Sequence, residues 1–140
     1  MRNMSFSLTT DQILGRSKDV TRRLGWKFLR RGDQIRAVEK AMGLRKGERI
    51  RPLATIEVVS VRQERLDQIT DDDVRREGYP GKPAAWFIEH FCKAMKCGPF
   101  QKVTRIEFVY LEPSETTIET ATAIGIRVGW IEEGNRGANE

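Results

Sequence analysis

The chain has 140 residues, with 25 Lys plus Arg against 20 Asp plus Glu and a formal net charge of +5. That length suits one domain with a core of its own, burying about two-thirds of the surface an unfolded chain exposes, and 39% hydrophobic residues is too apolar for wholesale disorder. No run approaches the roughly 20 apolar residues of a membrane span, the opening MRNMSFSLTTDQ lacks a secretory signal's apolar stretch, and two cysteines are too few for a disulfide framework, so a cytoplasmic protein without a membrane partner is expected. Ser5 to Thr9 alternates Phe6 and Leu8 with small polar residues, which predicts a short strand. Thr9 or Thr10 then caps a helical turn through Leu14, closed by Gly15. A basic stretch, SKDVTRRLGWKFLRRGD, ends on the Gly32-Asp33 turn.

QIRAVEK reads as a strand, and the Gly-rich, basic MGLRKGERIRP as a loop between strands. LATIEVVSVRQERL is the clearest strand, β-branched and long, with a slip of alternation at Val58-Val59 that marks a bulge or burial on both faces. In ITDDDVRREG an N-cap threonine, an acidic first turn, a basic last turn and a terminal glycine agree on a short helix. Pro83 suits the first turn of a second helix. On that helix Trp86, Phe87, His90, Phe91, Ala94 and Met95 form an apolar stripe ended by Cys97-Gly98-Pro99. VTRIEFVYLEP gives a last strand, and one further element is possible around Ile124 to Ile131. The predicted fold is α+β, a small mixed β-barrel or half-barrel of about five strands with two or three short helices. Residues 1–111 form the domain, and 112–140 an acidic extension.

The charge is unevenly placed. Residues 1–53 hold 14 basic and 5 acidic side chains, a balance of +9; residues 54–111 hold 9 of each; residues 112–140 hold 2 basic and 6 acidic. Candidate metal sites fail on spacing: Cys92 and Cys97 with one nearby histidine make no zinc pattern. Asp71, Asp72 and Asp73 point in different directions around a helix start, which reads as a solvated first turn. GxGxxG and GxxxxGK[ST] do not occur. No metal and no cofactor are expected, and His90 reads as a satisfied core histidine.

Within GRSKDVTRR, Gly15, Lys18, Thr21 and Arg23 resemble the GxKxxTxR signature of the ASCH domain, a branch of the PUA-like fold. Two residues separate Gly15 from Lys18 where the family pattern usually has one. The GD turn before a strand, IEVVSVRQERLDQIT followed by an acidic short helix, and the closing TRIEFVYL are similar to that family in order, over roughly residues 4–111. The resemblance implies a cleft for RNA or a modified nucleoside. In a small group of ASCH proteins it implies hydrolysis of the acetyl amide of N(4)-acetylcytidine. Carried over on LDQIT, Thr21 would be the nucleophile, Lys18 its base, and Glu77 a proton donor or orienting group.

On residue chemistry alone, a threonine hydroxyl needs an adjacent base, and Lys18 must lose proton affinity through burial or neighbouring cations to serve as one. Residues three apart on a regular strand face opposite sides, so Lys18 and Thr21 converge only if the segment bends or is helical. Arg16, Arg22, Arg23 and Arg31 are expected to attract phosphate, with Trp26 as a stacking platform, giving a basic cleft around residues 15–31. A protein-interaction module whose acidic tail covers its own basic face is a third reading.

Overall fold

Short strands with inward apolar residues and two amphipathic helices must share a core, and the chain's solution is one mixed sheet with helices packed against it. The structure, a computed structural model, describes residues 1–112; the expected extension beyond that point, with its possible element near Ile124, lies outside the described residues. The elements run β1 (Arg2–Ser5), α1 (Thr10–Leu14), β2 (Val20–Arg23), β3 (Gln34–Val38) and β4 (Pro52–Arg65), then a 3₁₀ turn at Leu66–Gln68, α2 (Asp71–Arg76), α3 (Ala84–Met95) and β5 (Lys102–Leu111). The sheet order is β1-β3-β4-β5-β2, a half-barrel ending on the two short strands β1 and β2. β1 runs parallel to β3, whereas β3/β4 and β2/β5 are antiparallel. This is the α+β architecture expected, five strands in a mixed sheet with short helices.

Three details differ from the sequence-based expectation. The first strand is Arg2–Ser5, because the inward pair is Met4 and Phe6 while Leu8 lies exposed in the turn that follows. A register shift does occur in β4, but it falls at Leu53: Ala37 faces Ala54 and Val38 faces Pro52. β2 lies inside the basic stretch. Its Val20, Thr21 and Arg22 are all buried, so period-2 hydrophobicity could not mark it.

Two buried clusters carry the packing. Met4, Phe6, Ile13, Ile35, Ile56, Ile106 and Phe108 belong to the first, beside the sheet. Leu66, Ile69, Val74, Phe87, Phe91 and Val103 form the second, under α2 and α3. β5 serves both, through Val103 in one and Ile106 with Phe108 in the other. Each such side chain contributes about 1.5–3 kcal/mol by leaving water. Among the described residues no helix is long and apolar enough to cross a membrane.

Candidate functional site

The loop that carries Lys18 is held from three sides. Ser17 N–H donates to the Gln12 carbonyl, Asp19 N–H donates to that of Arg76, and the Tyr110 hydroxyl donates to the Lys18 carbonyl. Arg16 takes a left-handed conformation at the bend (φ 59°), and β2 begins only at Val20. Lys18 therefore precedes the strand, and the alternation that would send it and Thr21 to opposite faces does not apply. Both line one cleft of about 340 Å³, together with Arg22, Arg23 and Glu77.

Glu77 reaches the cleft from the end of α2. Thr70 caps that helix, its hydroxyl accepting from the Asp73 N–H at 3.1 Å, and three aspartates occupy the first turn, where the helix dipole favours them. Asp71 and Asp72 are exposed, but Asp73 is buried and accepts from both Arg22 and Arg105, so the solvated reading fails for the third aspartate. Arg75 pairs with Asp72, and Arg76 with Asp19 and Glu107, which leaves Glu77 to the groups across the cleft. Gly78 follows at φ +105°, where a Cβ would lie 2.6 Å from Gln12 Cγ and 3.5 Å from Lys18 Cβ. Only glycine lets the chain turn there with α1 so close.

The geometry around Glu77 is a connected network of charges. Lys18 Nζ donates to Glu77 Oε1 at 2.7 Å and to the Glu77 carbonyl at 2.8 Å. Arg22 Nη1 donates to Glu77 Oε2 at 3.1 Å, while its Nη2 lies 2.6 Å from both Asp73 Oδ2 and Glu64 Oε2. Arg105 grips Asp73 through two bonds, at 2.7 and 3.1 Å. Lys18, Arg22 and Arg105 thus meet Glu77, Asp73 and Glu64 inside the fold, with Arg62 also on Glu64 from the exposed side. Burial pushes the Lys18 ammonium below its ordinary value against the pull of Glu77, and nearby Arg23 and Arg22 push the same way. Burial likewise lowers the Arg23 guanidinium to about 10. Arg23 Nε donates to Thr21 Oγ1 at 3.1 Å, and the guanidinium lies 4.6 Å from the Phe6 ring centre. Having accepted from Arg23, the Thr21 hydroxyl keeps its own proton to donate.

α3 supplies the opposite wall. Phe87, His90 and Phe91 line the cleft with Tyr79 from the turn before the helix. His90 lies stacked on Trp86 with ring centres 4.8 Å apart, and its Nε2 is 3.3 Å from the Tyr79 hydroxyl. The histidine read as core is half-buried on a cleft wall; the signal available was a single polar ring on an otherwise apolar stripe. Tyr79 and Phe87 carried no sequence signal beyond packing. Among the described residues no group of three or more His, Cys, Asp or Glu could hold a metal, and Cys92 and Cys97 are half-buried free thiols.

The expected cations divide into two groups. Arg22 and Arg23 line the cleft, with Arg22 committed to carboxylates. Arg16 and Arg31 are exposed and do not line it; the Arg16 guanidinium lies 5.3 Å from the Tyr110 ring centre. Trp26 lines the cleft and sits 5.5 Å from exposed Phe28, over which Arg2 lies at 4.5 Å.

No protein-family model and no curated protein matches the sequence. Among solved structures, the chain is similar to an ASCH domain from Lactobacillus crispatus JV V101, with 18% identity over 78% of each chain and a TM-score of 0.56. It is also similar to a DUF984 protein from Enterococcus faecalis V583, with 12% identity over 85% of this chain and 81% of that one, and a TM-score of 0.57. The fold of this chain is therefore that of an ASCH domain, as the GxKxxTxR-like segment led one to expect.

Proposed function

We propose that the cleft receives a nucleobase-like ligand and that Lys18, Thr21 and Glu77 hydrolyse an acyl amide on it, with N(4)-acetylcytidine as the representative substrate. The observation that carries this reading is the buried Lys18–Glu77 pair inside a cleft that Thr21 and Arg23 also line. The volume falls in the range of small-molecule pockets, about 300–1,000 Å³, and aromatic walls with a few converging polar groups suit a planar ring. A neutral Lys18 amine retains two N–H donors, matched by Glu77 Oε1 and the Glu77 carbonyl, and a lone pair that can take a proton.

In this reading Lys18 Nζ takes the Thr21 Oγ proton as that oxygen attacks the acyl carbon. The proton then passes to the leaving amine nitrogen, the C–N bond breaks, and the acyl group remains as an ester on Thr21. Water attacks the ester, Lys18 accepts its proton, and the C–O bond breaks with the proton returned to Thr21. Arg23 stands beside Thr21 as the cation that steadies negative charge on oxygen. Incubation with N(4)-acetylcytidine should release cytidine, and Lys18→Met should slow release by about 10²–10⁴-fold. Absence of cytidine, or undiminished release by that variant, would remove the proposal.

A polynucleotide bearing the same base is a second reading, supported by the Trp26–Phe28 pair with Arg2 beside the cleft and by the exposed cations Lys27, Arg30 and Arg31.

A further inference from the structure

Lys18 and Glu77 come from segments 59 positions apart, and a glutamate at a helix end has free rotation unless something holds its second oxygen. That oxygen is held. Arg22 Nη1 donates to Glu77 Oε2, and the arginine cannot swing away because Asp73 and Glu64 fix its other terminal nitrogen. Asp73 is in turn gripped by Arg105 from β5, so the guanidinium is clamped from α2, β4 and β5 together. The Arg22 side chain is 1% exposed, so none of this is surface pairing.

We infer that Arg22 is the positioning residue of the site, holding Glu77 Oε2 so that Oε1 is presented to Lys18, and that its charge keeps the lysine ready to act as the base. A proton on Oε2 would face an arginine N–H, which can only donate, so the hydrogen-bond geometry casts Glu77 as an acceptor and Lys18 as the carrier of the moving proton. This inference rests on the reading of Lys18, Thr21 and Glu77 as a hydrolytic set. The charged and titratable groups around the pair are Arg22 and Arg23 from β2, Asp73 from α2, Glu64 from β4, Arg105 from β5, and Tyr79, whose phenol is raised by burial and by Glu77. Arg22 and Arg23 both lower the proton affinity of Lys18, and Glu77 opposes them.

The test compares Arg22→Gln and Arg22→Lys in the full chain by two measurements. One is the Lys18 Nζ titration followed by nitrogen-15 NMR, which needs no substrate; the other is kcat and KM on N(4)-acetylcytidine. Arg22→Gln removes a cation that lowers the proton affinity of Lys18, so the Lys18 midpoint should rise. Its kcat should fall about 10²-fold with KM little changed. Arg22→Lys keeps the charge without the fork, so the midpoint should stay at the wild-type value while kcat falls less. An unmoved midpoint in Arg22→Gln overturns the inference. If that variant does not fold, Arg22→Lys decides, and a displaced midpoint or an undiminished kcat overturns it. Should wild-type protein hydrolyse nothing, the functional reading fails while the titration still decides the role of Arg22.

Discussion

Asp73 shows how far one side chain depends on its partners. Burial alone would raise its proton affinity, yet hydrogen bonds and charge from Arg105 and Arg22 hold the carboxyl far below the ordinary aspartate value. Glu64, facing Arg22 and Arg62, is also lowered. A carboxyl depressed in the folded state contributes stability that is present above its unfolded value and is lost as pH falls toward the folded one. The expected result is a stability that declines below about pH 4 and a smaller decline in Asp73→Asn. Urea denaturation followed from neutral pH down to pH about 2 checks this, and parallel curves for the two proteins would assign the acid loss elsewhere. Asp73→Asn should also lower stability at neutral pH, because removing one partner from a buried ion pair costs about 3–5 kcal/mol.

At the scale of elements, α2 and the turn after it do the placing. Gly78 passes so close to α1 that Gly78→Ala would force both a positive φ on alanine and a shift of Gln12. The expected loss is about 1–3 kcal/mol, read from chemical denaturation. Full stability in that variant would mean that the turn relaxes freely. The sequence made α2, α3 and the long strand β4 legible through the Thr70 cap, the apolar stripe and the β-branched run, which are local signals, whereas the threonine cap read for α1 fails: Thr9 makes no side-chain cap bond and the Thr10 hydroxyl donates to the Phe6 carbonyl instead. It hid β2, whose buried residues include Thr21 and Arg22, since a charge buried against partners from α2 and β4 reads as a solvated one. Lys18 and Glu77 were legible as a pair only through the family resemblance. The role of Arg22 lies in contacts spanning 42 to 55 positions, beyond any local pattern.

For the whole molecule, the 14 cations of residues 1–53 include two groups with different surroundings near the cleft. Lys18, Arg22 and Arg23 face inward and take carboxylate or hydroxyl partners, while Lys27, Arg30 and Arg31 remain exposed on the turn leading to β3. If a strand of RNA follows that turn, log affinity should fall with log salt at a slope of about −0.7 per phosphate neutralised. Changing Lys27, Arg30 and Arg31 together to Gln should flatten the slope by about two units. A slope near zero in the wild type would confine the ligand to the cleft.

The pairing of β2 with β5, where Thr21 faces Ile106, also sets a schedule. A chain emerging from the ribosome exposes Lys18 and Thr21 early, but the strand that seats them is the last of the five to be made. Contacts this distant in sequence close late, after β1, β3 and β4 can already have paired. A nascent chain halted before β5 therefore holds Lys18 and Thr21 without the strand that pairs with β2 and without the Tyr110 hydroxyl that ties down the Lys18 carbonyl.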